Sequence, residues 1–434
     1  MTPSIYPTVA IVGSGPAGCF VAQFLLKKWR GAQITLFEAL PAPYGLLRYG
    51  VAADHQGSKM VISQFDRMFE NGNVEFLGNV VVGRDITFAE LNESFDIVVL
   101  ATGLNNDNKL EIPGGQSSKV IGAGHLLKSL NGHPHFSILY QGIKPVRKLG
   151  ANIAVIGSGN VAIDVMRLVI KKGSEFEGSD IDDNVRQELE TDQVTSVTMI
   201  SRSGASEARC DLSMLTELIA LKSCSLDVEG LQPDDEGPIV DALREAMRTC
   251  SEASASQRHL RFVFNARPES IVEEQEYALL TTYHKDLLAS KVRKFDTIIT
   301  AIGFGNNDTA EPPTPPASVN AEHVYTVGWY KRGPTGTVAD NRKDAKGVAD
   351  DIIEAFENGK HRHLRIGIGA IRDQIPSTAV RYRNWKLIDA QERKQAAPGR
   401  CRKKITAIRT MLRIAHGVEP RDLEPVFESE GSAA

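Results

Sequence analysis

An apolar strand that runs directly into a glycine turn and then a helix restricts this chain more than any other feature. Thr8-Val9-Ala10-Ile11-Val12 leads into Gly13-Ser14-Gly15-Pro16-Ala17-Gly18. A helical stretch follows from Phe20 to Lys28, and a second strand, Ile34-Thr35-Leu36-Phe37, ends on Glu38. Strand, GxGxxG, helix, strand and terminal acid together describe a βαβ unit that holds a dinucleotide. Gly13 permits the tight turn, Gly15 lets a pyrophosphate approach the backbone, and Gly18 lets helix and strand pack closely. The helix N-terminus offers free N–H groups and a partial positive charge to phosphates. Glu38 stands where a carboxylate accepts the ribose hydroxyls of an adenosine. A lone glycine turn is weak evidence; this one has every neighbour in register.

The pattern recurs. Asn152-Ile153-Ala154-Val155-Ile156 runs into Gly157-Ser158-Gly159-Asn160-Val161-Ala162 and a helix from Ile163 to Lys171. The next strand, Val197 to Ile200, ends on Ser201-Arg202-Ser203 and not on an acid. An acid there binds a ribose 2′-hydroxyl, whereas arginine pairs with a 2′-phosphate, so the second nucleotide reads as NADP(H) rather than NAD(H). Phe95-Asp96-Ile97-Val98-Val99-Leu100 stops at Ala101-Thr102-Gly103, and Phe295 to Gly303 echoes it, which implies two homologous nucleotide domains.

At 434 residues the chain exceeds a single core and implies two or three domains. No apolar run approaches the roughly 20 residues of a membrane span. The first strand begins near residue 8, leaving no room for a targeting segment. A net charge of −4 implies no bulk attraction to nucleic acid or membrane. Five scattered cysteines without a CxxC pair suit a reducing compartment, the cytoplasm, or the mitochondrial matrix if a leader was removed. Residues 41–55, with two prolines, read as an irregular loop, and a helix is expected over 58–70. Val74–Leu77 and Val80–Val82 read as strands, and 107–150 as a connector. His133 and His135 lack an accompanying acid or cysteine at ligand spacing and read as a surface turn, so no metal is expected. Residues 205–290 are the least legible, except for an amphipathic helix over 238–249. Its Arg244 and Arg248 either dock an acidic protein or form a solvated face. Val324–Trp329 reads as a strand and Ala339–Glu357 as a helix whose N-terminal amides face an electron-rich group. The basic tail, with Arg400, Arg402, Lys403, Lys404, Arg409 and Arg413, reads as a solvated helix face.

Four stretches, Tyr44–His55 (YGLLRYGVAADH), Gly78–Ile86 (GNVVVGRDI), Gly157–Val165 (GSGNVAIDV) and Gly328–Val338 (GWYKRGPTGTV), resemble the adrenodoxin reductase family with its bacterial ferredoxin–NADP reductase relatives. The resemblance implies an α/β protein with two Rossmann-like dinucleotide-binding domains and no redox disulfide. The FAD domain would be discontinuous, 1–106 and 330–434, with an NADP domain, 107–329, inserted. By position, Ala17, Glu38, Leu46 and Val82 contact FAD. Trp329, Gly336, Thr337 and Val338 lie near the flavin, and Ser158, Gly159, Asn160 and Val161 cradle the NADP pyrophosphate. His55 and Asp164 match a pair that couples the two cofactors. The family usually carries two consecutive arginines at the 2′-phosphate; here the second is Ser203, a downstream family glutamate falls on Met214, and Arg209 is the residue expected to compensate. The implied activity passes hydride from NADPH to FAD and single electrons to a ferredoxin or adrenodoxin-like iron–sulfur protein. The alternatives are a redox sensor binding FAD and NAD(P)H, and an electron-feeding flavin subunit preferring NADH.

Overall fold

The structure, a computed structural model, describes residues 6–72, 74–104, 106–136, 148–221, 224–250, 258–305, 322–361 and 365–417. The chain forms two compact units, one from residues 1–51, 55–104 and 308–434, the other from 52–54 and 105–307.

The first unit is built on a six-stranded sheet. Its spatial order is Val324–Thr326, Ile97–Leu100, Thr8–Val12, Gln33–Glu38, Val74–Gly78 and Val380–Arg381. The first five run parallel and the last is antiparallel. The central strands are buried on both faces, as parallel strands covered by helices must be. Helices Pro16–Lys28 and Val338–Glu357 pack together over one face, where Phe20, Leu25, Val348 and Ile352 share a core with Leu36 and Val99. The opposite face buries Val12, Phe37, Leu77, Val82, Phe95 and Leu100.

The second unit repeats the plan with a parallel sheet in the order Val120–Gly122, Thr297–Thr300, Asn152–Ile156, Ser196–Ile200, Arg258–Val263 and Cys224–Glu229. A three-stranded antiparallel sheet, Ala266–Glu273, Ala278–His284 and Ala289–Phe295, covers one face through Ile271, Leu280 and Phe295. A short ribbon pairs Asn106–Asp107 with Phe304–Gly305.

Several expectations change in the folded chain. The loop 41–55 contains a helical turn, Leu46–Tyr49, and the helix expected over 58–70 is two pieces, Gln56–Lys59 and Ile62–Glu70. Asn79, at φ +57°, turns the chain away from the sheet. Val80–Val82 therefore form no strand, and Val82 makes only an isolated bridge to Ile86. The 107–150 stretch holds more than turns: Val120–Gly122 is an edge strand and Ala123–Leu130 a helix. A three-residue strand is too short to show a period. The tail is not uniformly solvated, because Arg402 pairs with Asp389 and Glu392, and Lys404 is buried. The return to the first unit comes before residue 329, since Val324–Thr326 pair with Ile97–Leu100.

Candidate functional site: two nucleotide turns

Each unit presents a glycine turn at the carboxyl ends of its central strands, where ligands bind in open parallel sheets. The two turns have the same geometry. Gly13 N donates to Phe37 O at 2.8 Å, and Gly157 N to Ile200 O at 2.9 Å. Ala101 N donates to Val12 O at 2.8 Å, and Ala301 N to Ile156 O at 2.8 Å. Gly13 has φ +104° and Gly157 φ +127°; a Cβ on them would stand 2.5 Å from Ala101 O and 2.3 Å from Ala301 O. Only glycine fits either corner. At Gly15 and Gly159, by contrast, an added Cβ would meet nothing within 4 Å. These two residues face the open space into which a pyrophosphate backbone would pack. Helices of 13 and 11 residues, Pro16–Lys28 and Asn160–Ile170, begin directly beyond them with no side-chain cap, so their first N–H groups face that space.

In the first unit the turn is braced by its own neighbours. Ser14, fully buried, donates to Glu38 Oε2 from its N at 3.1 Å and from its Oγ at 2.7 Å, and Leu40 N reaches Oε1 at 3.2 Å. Three of the roughly four acceptor positions of this carboxylate are thereby used. The Ala39 backbone also bonds it, so the carboxylate keeps less capacity for ribose hydroxyls than the sequence suggests. Burial raises the Glu38 pKa, and the Ser14 and Leu40 hydrogen bonds oppose that rise. Tyr44, at φ +83°, donates its N–H to Ser14 O at 3.1 Å. Its ring hydroxyl bonds Asp66, which also accepts from Tyr382 at 2.6 Å. Half-buried Leu46 opens the helical turn that follows.

Gly328, at φ +72°, brings the next strand end onto the first helix: a Cβ there would lie 2.7 Å from Ala17 Cβ. Gly328 N donates to Asp344 Oδ2 at 2.6 Å. Trp329 starts the turn Trp329–Arg332 and is half-buried. Thr337 caps Val338–Glu357 in a reciprocal box with Asp340, so the Asp340 carboxylate already occupies part of that N-terminus. Gly336 and Thr337 are exposed. Val82, expected at FAD, sends its side chain into the core beside Val12 and Phe37, which leaves its backbone as the part able to meet a ligand. Sequence reasoning missed Thr102. Its N lies 3.1 Å from where a Gly13 Cβ would sit, and its Oγ1 is buried without a hydrogen-bond partner among the described residues. A hydroxyl so placed beside an open phosphate cradle fits a phosphate- and ribose-bearing group such as FAD.

In the second unit Ser201 Oγ donates to Ser158 Oγ at 3.1 Å, tying the end of the second strand to the turn. Arg202 is exposed, and Ser203 N donates to Ser201 Oγ at 3.3 Å. Val161 is half-buried behind Asn160, whose Oδ1 accepts from Asp211 N at 2.6 Å. Asp164 lies one turn further along the helix and accepts from Arg167 Nη2 at 2.7 Å. Arg167 has no exposed surface and also binds Asp54. His55 belongs to the first unit, half-exposed at the start of Gln56–Lys59. Arg244 does not lie free on its helix: it donates to Gln232 O and Pro233 O, while Arg248 pairs with Glu245 at the surface. The four described thiols, Cys19, Cys210, Cys224 and Cys401, are unbridged.

Comparison with known proteins agrees with this geometry. The family model described as pyridine nucleotide-disulphide oxidoreductase matches residues 7–312. The chain is 38% identical to cindoxin reductase of Citrobacter braakii over 95% of its own length and 92% of that protein's. It is 29% identical to the mitochondrial NADPH:adrenodoxin oxidoreductase of Arabidopsis thaliana, covering 89% and 90% of the two chains. The solved structure of Mycobacterium tuberculosis FprA in complex with NADPH superposes with a TM-score of 0.83 at 29% identity, over 95% of this chain and all of that one. The chain belongs to the pyridine nucleotide-disulphide oxidoreductase family, within the group that contains the cindoxin, adrenodoxin and ferredoxin–NADP reductases.

Proposed function

We propose that this chain is an FAD-dependent reductase that takes reducing equivalents from NADPH and delivers them singly to an iron–sulfur electron carrier of the ferredoxin or adrenodoxin type. The observation that carries the reading is the presence of two matched glycine turns in one chain, one followed by an acid and the other by an arginine. Full-length similarity to reductases named for cindoxin, adrenodoxin and ferredoxin supports it. When bound, FAD accepts a hydride as a pair of electrons and gives electrons up one at a time, which joins a two-electron donor to one-electron carriers.

The protein's part is binding and orientation. The turn Gly13–Gly18, with Gly15 and Ala17 at the helix start, holds the FAD pyrophosphate; Glu38 takes a ribose hydroxyl and Thr102 fills its hydrogen bond. Leu46 and the Val82 backbone border the same nucleotide. Trp329 and Gly336–Val338 stand beside the flavin. Ser158–Val161 hold the NADP pyrophosphate and Arg202 its 2′-phosphate. His55 and Asp164 position and tune rather than transfer protons to substrate, and hydride chemistry calls for no nucleophile or general base. No described helix is long and apolar enough to cross a membrane, and the cytoplasm is the proposed location. The deciding measurement is anaerobic stopped-flow reduction of the yellow protein. Flavin absorbance should bleach faster with NADPH than with NADH, and the reduced protein should then reduce a [2Fe–2S] ferredoxin. Absence of bleaching by either nucleotide would overturn the reading.

A further inference from the structure

In this chain the second arginine of the expected pair is Ser203, so the 2′-phosphate reading of the second turn rests on Arg202 alone. The fold brings the backbone of another arginine, Arg209, against the same phosphate turn. After the strand Ser196–Ile200 the chain loops back over the phosphate turn. It is fixed on the way: Ser203 O accepts from Asn265 N at 3.1 Å, and Glu207 caps Gly204 N at 3.3 Å. It then lies across the turn itself, Arg209 N donating to Ser158 O at 3.2 Å and Asp211 N to Asn160 Oδ1 at 2.6 Å. Arg209 and Gly159 form a parallel bridge.

Ser158 thus joins the two segments that carry Arg202 and Arg209. Its hydroxyl bonds Ser201, the residue before Arg202, and its carbonyl bonds Arg209. Arg202 and Arg209 are both exposed, and among the described residues neither is paired with a carboxylate. The two nearby acids are already engaged: Glu207 with Gly204 N, and Asp211 with Ser213 N and Oγ at 2.9 and 2.6 Å. Two arginines carried by segments that both bond Ser158, exposed and unpaired among the described residues, supply the charge that a phosphate monoester dianion calls for.

We propose that Arg209 is a specificity residue that replaces the missing second arginine, clamping the adenosine 2′-phosphate of NADP(H) together with Arg202. The inference rests on the NADPH reading above. The test is a titration of the oxidised holoprotein with 2′,5′-ADP, 5′-AMP, NADP⁺ and NAD⁺, followed by the flavin difference spectrum or by calorimetry. Loss of one charged hydrogen-bond partner should weaken 2′,5′-ADP and NADP⁺ about 10–100-fold in Arg209→Ala. The same variant should leave 5′-AMP and NAD⁺ within about twofold. Adding Ser203→Arg to Arg209→Ala should recover most of the loss. Equal weakening of NADP⁺ and NAD⁺ would assign Arg209 to the pyrophosphate and overturn the proposal, as would unchanged affinity. If Arg202→Ala discriminates between the ligands and Arg209→Ala does not, this proposal alone fails. If the wild type itself does not prefer the 2′-phosphorylated ligands, the NADPH reading fails with it.

Discussion

Asp54 and Arg167 form a two-pronged ion pair: Nε and Nη2 reach the carboxylate at 2.7 and 2.8 Å, and Arg167 has no solvent contact. Lys171 adds a third bond to Asp54 at 2.7 Å, and Arg167 extends the network to Asp164. Burial alone would raise the Asp54 pKa; the Arg167 hydrogen bonds, with the Arg167 and Lys171 charges, reverse this and hold it well below the usual carboxylate range. A depressed carboxylate contributes stability that is fully present above its unfolded pKa of about 3.9 and is lost as pH falls towards its folded value. Asp54→Asn should therefore cost up to about 3 kcal/mol at pH 7, the low end for a broken buried pair, because Arg167 loses its two-pronged partner and keeps Asp164. In urea titrations the gap to wild type should narrow as pH drops below about 4. A gap independent of pH would assign the cost to packing instead.

The glycines of the two turns separate strain from ligand access. Gly13→Ala and Gly157→Ala each force a side chain into positive φ and against a carbonyl, at about 1–3 kcal/mol or more of backbone strain. Gly13→Ala should purify with little FAD. Gly157→Ala should keep FAD and lose NADP⁺ binding. Gly15→Ala meets nothing in the protein, so the apoprotein should unfold at nearly the wild-type urea concentration while FAD binds poorly. Normal FAD content in both Gly13→Ala and Gly15→Ala would remove the nucleotide from this turn.

Much of this was legible in the sequence because it is local. A five-residue apolar strand, a glycine corner and a helix start leave their period and their turn residues within one short window. Ion pairs that join distant segments leave no such trace. Asp54 and Arg167 are 113 residues apart, and Arg48 meets Glu392 across 344 residues in a pair that is 3% and 0% exposed. Arg402 and Lys404 looked like part of a solvated face because their acidic partners or cover come from elsewhere in the fold. Glu38 was found by its place at the strand end, but Ser14's claim on its oxygens depends on a hydroxyl rotamer that spacing does not encode.

Thr102 tests the FAD cradle without disturbing the fold. Its buried hydroxyl makes no hydrogen bond among the described residues, so replacing it with an isosteric methyl removes an unsatisfied group. Thr102→Val apoprotein should be as stable as wild type or slightly more so. Its FAD dissociation constant should rise about 5–15-fold, the worth of one hydrogen bond, and Thr102→Ser should restore it. A valine variant that loses stability and keeps FAD affinity would show that the hydroxyl serves the fold.

Lys128 gives the second unit an alkaline signature. The side chain is buried, with Nζ 3.9 Å from the centroid of the Phe136 ring. Burial pushes its pKa down to about 8, against the pull of the Asp107 carboxylate. Between pH 8 and the unfolded value of about 10.4 the unfolded chain holds this proton and the folded chain does not. Its contribution to stability therefore rises with pH across that window. The buried thiols of Cys19 and Cys210, whose pKa values burial raises, act in the opposite sense over the same range. They are common to wild type and variant, so the comparison with Lys128→Met isolates the lysine. The stability of wild type relative to Lys128→Met should climb by about 2–3 kcal/mol from pH 8 to pH 10, read from urea midpoints. A constant difference across that interval would mean that Lys128 stays charged in the folded protein.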